Sequence, residues 1–196
     1  MGKPKIAFLL SIGFILIVFS CAQKQDYNNL NTTTNVSGEE LVQRGEYLVS
    51  VIGCDDCHSP KVMGKFGPEV DPDLRLSGYP ANRPLPKVDS MQVKNGWALF
   101  NGDLTATVGP WGVSYAANIT SDATGIGSWT EEQFSKALTQ GKWKGMENSR
   151  PLLPPMPWQN FSKLKHEDVR AIFAYLKTTK PVSNVEPQVQ PLHALK

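Results

Sequence analysis

The segment Ile52–Pro60 reads IGCDDCHSP and places two of the three cysteines of this 196-residue chain three positions apart, directly before a histidine. Residues three apart lie on the same side of an α-helix, about one turn from each other. A short helix here would therefore present the thiols of Cys54 and Cys57 in one direction, with the imidazole of His58 beside them. This local arrangement indicates what the site can bind, and the bound group in turn indicates the fold.

Cys-x-x-Cys-His is the attachment pattern of c-type haem, in which two thiols bond to the vinyl groups and the histidine ligates the iron. The thiols of Cys54 and Cys57 can both reach the porphyrin edge, and His58 faces the iron. The pattern places no requirement on the two intervening residues, Asp55 and Asp56, so we expect both carboxylates to be solvated. The sequence contains one such motif, which predicts one covalent haem.

Three other interpretations of the two cysteines remain open. A thioredoxin-like redox pair needs a strand before Cys54 and a long helix after it, whereas a helical pattern precedes and prolines and glycines follow. A zinc site needs two further ligands, and His166 and His193 are isolated in sequence. A disulfide between neighbours this close would be strained and would leave His58 unexplained. The haem interpretation is the strongest.

Apolar spacing predicts three helices around this motif. Leu41, Gly45, Leu48 and Ile52 share one helical face, and a Thr-x-x-Gln capping box at Thr130 opens a second helix that Gly141 ends. The predicted helices span 40–52, 131–139 and 166–177. The segment from 59 to 110 is rich in proline and glycine, which favours turns over a sheet. We therefore expect an all-α fold, a helical domain wrapped around the haem with long Pro/Gly-rich loops.

An iron that carries electrons needs a sixth ligand, and methionine is the usual one in cytochromes c. Met63 follows His58 too closely to reach the other haem face easily, and Met91 and Met146 have no distinctive surroundings. Met156 lies in the segment LPPMPW, where prolines stiffen the chain on both sides. We predict that Met156 ligates the iron; a space-filling Met156, a histidine ligand or an open site are the alternatives.

The chain from Gly109 to Leu176 resembles class I cytochromes c that serve as electron-transfer subunits or partners of bacterial dehydrogenases. Together with the attachment motif and the helix before it, the resemblance covers about residues 39 to 180. The matching segments are Gly109–Val113, Tyr115–Thr120, Thr124–Thr130, Pro154–Trp158 and Ile172–Leu176.

This resemblance implies a cytochrome c-like domain in which the methionine of the Pro-Met-Pro segment, Met156, is the distal iron ligand. It implies that Asn118 lies near the haem edge, where it would approach a propionate. It also implies that the first and last helices cross at Gly45, which would contact an aromatic residue, Phe173 or Tyr175. Relatives often have Ser or Thr where this chain has Lys165, so we expect the last helix to be poorly capped.

The first twenty residues have the pattern of an export signal, with Lys3 and Lys5 before an apolar run too short to span a bilayer. Val18–Cys21 resembles the lipobox of bacterial lipoproteins, in which the cysteine becomes the lipid-bearing N-terminus. We therefore expect a protein that is exported and anchored through Cys21 to a bacterial membrane. The predicted organisation is a lipoprotein signal peptide at 1–20, a lipidated tether at 21–37, a cytochrome c domain at 38–181 and a poorly ordered tail at 182–196.

The charge balance gives no sign of nucleic-acid binding. Lys and Arg number 20 against 18 acids, and Lys3 and Lys5 account for the excess. No catalytic constellation competes with the haem motif, so we expect an electron carrier rather than an enzyme. It would transfer single electrons from a dehydrogenase or quinol-oxidising complex to an acceptor such as a terminal oxidase. A haem sensor or a peroxidase with a labile sixth ligand is the alternative.

Overall fold

The computed structural model describes residues 37–195, so the predicted signal peptide, Cys21 and the tether up to residue 36 lie outside the described residues. The helices are α1 (Gly38–Val51), α2 (Cys54–His58), α3 (Ser90–Lys94), α4 (Glu131–Gln140), α5 (Trp158–Phe161) and α6 (His166–Leu176). The strands are β1 (Lys61–Gly64), β2 (Gly67–Val70), β3 (Leu99–Phe100), β4 (Ala106–Gly109) and β5 (Gly112–Tyr115). Within 37–195 no helix combines the length and the apolar character that crossing a membrane requires.

The three predicted helices are present, and their ends follow from their caps. α4 opens with the predicted capping box, in which the Gln133 N–H donates to Thr130 Oγ1 at 3.1 Å and the Thr130 N–H donates to Gln133 Oε1 at 2.9 Å. α1 opens with an equivalent box between Ser37 and Glu40, a Ser-x-x-Glu pattern that was not among the predicted helix starts. α6 follows Lys165 without any side-chain cap, as predicted.

The main core lies between α1, α4 and α6. It is a cluster of buried side chains: Val49, Leu76, Ile126, Phe134, Leu138, Val169, Ile172, Tyr175 and Leu176. α1 and α6 cross where Gly45 faces the backbone of Ala171. A Cβ added to Gly45 would lie 2.7 Å from the Cβ of Tyr175, which confirms the predicted contact with an aromatic residue of the last helix.

The prediction of an all-α fold is wrong, because the segment between α2 and α4 contains two antiparallel sheets. β1 pairs with β2, and β4 lies between β3 and β5. Both hairpins close through two-residue turns bounded by glycines, Gly64 to Gly67 and Gly109 to Gly112. The strands are two to four residues long, and β4 is buried along its whole length. Such short strands show no alternation of polar and apolar residues, the signal on which strand prediction depends.

The C-terminal segment also differs from expectation, because residues 182–195 are held against the domain rather than poorly ordered. Gln190 forms an antiparallel bridge with Val113 of β5, whose N–H donates to the Gln190 carbonyl at 2.7 Å. Leu192 and Leu195 pack on a second buried cluster formed by Val93, Val108 and Val113. Sequence patterns do not show that this segment is held in place, because the residues that it contacts lie far away along the chain.

Candidate haem-attachment site

The attachment motif forms α2, a helix of five residues that tertiary contacts must stabilise, since so short a helix is marginal by itself. Gly53 precedes it in the left-handed conformation, with φ of 74°, and turns the chain from α1 into α2. At the other end, the Lys61 ammonium donates to the carbonyl oxygens of Asp55 at 2.9 Å, of Ser59 at 2.8 Å, and of Asp56. Lys61 thereby satisfies carbonyl groups that the end of α2 leaves open.

Two hydrogen bonds hold His58 in place. Its ring Nδ1 lies 2.7 Å from the carbonyl oxygen of Ala117, which requires Nδ1 to be the protonated nitrogen. Its backbone carbonyl accepts from the Gly78 N–H at 2.7 Å. Burial lowers the pKa of His58, and the bond to Ala117 opposes this shift only in part. The imidazole is therefore neutral with Nε2 unprotonated, the form that binds a metal.

Both cysteines of the motif are free thiols. Burial, reinforced by the nearby Asp55 carboxylate, raises the pKa of Cys54 to about 12. Burial also raises the pKa of Cys57. Cys54 also contacts the main core cluster, so its thiol lies in apolar surroundings.

The two acidic residues of the motif differ, and the prediction that both are solvated is wrong for Asp55. Its carboxylate accepts from Arg75 Nε at 3.0 Å, from Arg75 Nη2 at 2.7 Å and from the Ser59 hydroxyl at 2.6 Å. The Asp55 side chain is only 21% exposed. Asp56 is exposed, as predicted.

Met156 is set apart from the other methionines of the described chain by its packing. Met63, Met91 and Met146 are exposed. Met156 is partly buried and packs against the main core cluster, the same cluster that Cys54 contacts. Of these four methionines, Met156 is therefore the one that lies in the same apolar environment as the attachment motif.

The chain around Met156 is anchored on both sides. Before it, the Ser114 hydroxyl donates to the Pro154 carbonyl at 2.6 Å, and the Leu152 N–H donates to the Gly141 carbonyl at 2.7 Å. After it, the indole of Trp158 packs against Gly141, where an added Cβ would lie 2.5 Å from the ring. These contacts come from β5 and from the end of α4, so two separate elements position the methionine.

Asn118 has a structural role that the sequence did not show. Its Nδ2 lies within hydrogen-bonding distance of the Val182 carbonyl at 2.7 Å, Thr124 Oγ1 at 3.0 Å and the Asn184 carbonyl at 3.2 Å. Its Oδ1 accepts from the Thr120 N–H and hydroxyl. Both amide protons thus have acceptors within the protein, so this buried side chain holds the C-terminal segment and has no free donor for a propionate.

These residues fit a c-type haem. Cys54 and Cys57 are free thiols one helical turn apart, and the adjacent His58 has a neutral imidazole whose Nε2 is unprotonated. The thioredoxin alternative has no support, because α1 precedes the motif and the β1–β2 hairpin follows it. The zinc alternative has none either: within residues 37–195, no three His, Cys, Asp or Glu side chains converge to hold a metal ion. Cys54, Cys57 and His58 would hold the haem, which would supply one-electron redox chemistry.

Comparison with known proteins agrees with this site. The family model described as cytochrome c matches residues 42–180. The chain is 32% identical over 151 residues to the cytochrome subunit of fructose dehydrogenase from Gluconobacter japonicus, which covers 76% of this chain and 24% of that protein. It is 31% identical over 140 residues to the gluconate 2-dehydrogenase cytochrome c subunit from Pantoea cypripedii, covering 71% of this chain and 23% of that protein.

A third relative, the cytochrome c subunit of a quinone-dependent alcohol dehydrogenase from Gluconobacter oxydans, is 28% identical over 175 residues, 88% of this chain and 27% of that protein. The chain thus spans about a quarter of the length of these relatives. All three are named as cytochrome subunits, in agreement with the expectation of an electron carrier and not a catalytic subunit. The attachment motif, its surroundings and the family match together establish that the chain belongs to the cytochrome c family.

Proposed function

We propose that this cytochrome holds one haem through Cys54 and Cys57, that His58 and Met156 would ligate its iron, and that the protein transfers single electrons. The donor is a dehydrogenase or a quinol-oxidising complex, and the acceptor is a downstream protein such as a terminal oxidase. The names of the relatives support a dehydrogenase as the partner. The single Cys-x-x-Cys-His motif of the sequence supports one haem.

The packing of Met156 carries this proposal. A thioether bound to iron raises the reduction potential and blocks the position that small ligands would occupy. The anchoring of the Met156 segment by Ser114 and Gly141 limits its movement, so the same ligand can remain bound in both oxidation states. A fixed sixth ligand favours electron transfer over sensing or peroxidase chemistry.

Replacing Met156 tests the proposal in the purified holoprotein. The oxidised wild type should show a sulfur-to-iron charge-transfer band, and its reduced form should change little on addition of carbon monoxide. Met156→Ala should lose the band and bind carbon monoxide rapidly, because the sixth position is then open. Met146→Ala is the matched control, since Met146 is exposed and should leave both properties unchanged. Rapid carbon monoxide binding by the wild type would instead support a sensor or a peroxidase.

We also propose that the cytochrome is exported and anchored to a bacterial membrane through lipid on Cys21. The support is the export pattern of residues 1–20 and the lipobox-like Val18–Cys21. Stable anchoring requires more than one acyl chain. Cys21→Ser should therefore move the holoprotein from the membrane fraction to the soluble fraction of fractionated cells. If the wild type is already soluble and carries no acyl groups by mass spectrometry, the anchor is excluded.

A further inference from the structure

Arg75 connects the attachment motif to the last helix. Its guanidinium donates through Nε and Nη2 to the Asp55 carboxylate, as described above, and through Nη1 to the hydroxyl of Tyr175 at 2.7 Å. Asp55 belongs to α2 and Tyr175 to α6, while Arg75 lies in the loop after β2. The guanidinium of Arg75 therefore links its own loop to α2 and α6, beside the residues that would hold the haem.

The geometry of this pair is held from several sides. The Ser59 hydroxyl donates to Asp55 Oδ1 at 2.6 Å and accepts from the Leu76 N–H at 2.8 Å. Ser59 and Leu76 are fully buried, and Tyr175 is 7% exposed. The bidentate contact itself limits rotation of both side chains. The two charges are thus held in one arrangement, unlike a surface ion pair that exchanges with water.

Both charges are partly shielded from solvent, with exposed fractions of 35% for the Arg75 side chain and 21% for Asp55. Burial alone would lower the pKa of Arg75, but the hydrogen bonds to Asp55 and Tyr175 outweigh this effect and raise it. Arg75 therefore carries its positive charge at every working pH. Charges removed from bulk water act on their neighbours with less screening.

We propose that Arg75 and Asp55 form a fixed charge pair beside the haem, in which each charge offsets the effect of the other on the reduction potential of the iron. The inference rests on the proposed function, because it concerns the iron placed at Cys54, Cys57 and His58. Asp55 directly follows Cys54 in the motif, so the pair lies next to the covalent attachment. Its role is to keep either charge from shifting the potential alone.

The sign of each effect follows from charge balance. Reduction adds one electron to the iron and lowers the net charge of the site by one. A positive charge nearby stabilises the reduced form, and a negative charge stabilises the oxidised form. Removing the Asp55 charge leaves Arg75 unopposed and raises the reduction potential. Removing the Arg75 charge leaves Asp55 unopposed and lowers it.

Potentiometric titration of the holoprotein, with redox mediators at fixed pH and low ionic strength, tests the pair. Asp55→Asn should raise the potential and Arg75→Gln should lower it. The double variant should return close to the wild type, because neither charge remains. Asp56→Asn is the matched control, since it removes the same charge from the same helix at an exposed position. Its potential should rise less than that of Asp55→Asn.

A purely structural role gives a different pattern. Loosening α2 would shift the potentials of Asp55→Asn and Arg75→Gln in the same direction, and that result would overturn the proposal. Unchanged potentials in both variants would overturn it as well. If Arg75→Gln does not fold, Asp55→Glu provides the comparison, because it keeps the negative charge. Its potential should stay nearer to the wild type than that of Asp55→Asn, and an equal shift in both would contradict the charge pair.

Failure of this test is distinguishable from failure of the proposed function. The charge-transfer band and the carbon monoxide response of the wild type report on Met156 alone. An intact band together with unchanged potentials would reject the charge pair and leave the electron carrier standing. Opposite shifts together with rapid carbon monoxide binding would support the pair and reject the methionine ligand.

Discussion

Gly45→Ala should destabilise the cytochrome by about 3 kcal/mol, because α1 and α6 can no longer approach each other at their crossing. The added Cβ would lie 2.0 Å from the Ala171 carbonyl oxygen and 2.6 Å from its carbon. These are backbone atoms, so no side-chain rotation relieves the clash and the helices must separate. The main core cluster between them would then lose contacts along α6. Guanidinium unfolding of the holoprotein measures the change.

Gly38→Ala is the matched control for this prediction. Gly38 lies in the same helix, and an added Cβ there meets nothing within 4 Å. Alanine has a higher helix propensity than glycine, so this variant should be unchanged or more stable by up to about 1 kcal/mol. Alanine also gains helix propensity at Gly45, but there the free-energy cost of the clash should exceed this gain. Equal stability of the two variants would contradict the close crossing.

Gly78→Ala should destabilise the protein by about 3 kcal/mol and disturb the position of His58, the proposed iron ligand, at the same time. Gly78 has φ of 76°, a conformation that side chains with a Cβ adopt only at a cost. An added Cβ would lie 2.4 Å from the Ala116 carbonyl oxygen and 2.7 Å from that of Ala117. The Ala117 oxygen accepts from His58, so displacing this segment weakens the hold on the imidazole.

Gly96→Ala separates backbone strain from the clash. Gly96 also has a positive φ, 97°, but an added Cβ there meets nothing within 4 Å. Gly96→Ala should therefore lower the free energy of unfolding only by the cost of backbone strain, about 1 to 2 kcal/mol. Guanidinium unfolding compares the two variants, and the absorption spectrum of the reduced holoprotein reports on the haem environment. A normal spectrum for Gly78→Ala, with a stability like that of Gly96→Ala, would contradict the proposed support of His58.

The local features of the chain were predictable. The capping box of α4, the Gly141 stop and the uncapped start at Lys165 all depend on residues within a few positions of each other. The box at Ser37 and Glu40 carries an equally local signal and could have been found. The strands could not, because segments of two to four residues contain too few positions for a period to appear.

The adjacent acids Asp55 and Asp56 differ in a way that the sequence does not show. They are identical residues at neighbouring positions of one motif, yet one is paired with Arg75 and the other is exposed. Helix geometry turns neighbouring side chains about 100° apart, and the surrounding fold decides what each one meets. The methionines differ from this case: the flanking prolines already set Met156 apart from Met146 in the sequence, and the structure adds that Met156 is partly buried whereas Met146 is exposed.

The Cys-x-x-Cys-His motif and the principal helices can be identified from the order of the residues alone, because thiol spacing, helix caps and apolar periods act within a few turns of chain. The residues that support the motif can be identified only from the folded chain. The acceptor for His58 lies 59 positions away, Arg75 lies 20 positions from Asp55, and Tyr175 lies 100 positions beyond Arg75. Contacts across such distances depend on how helices and strands pack, which no local pattern encodes.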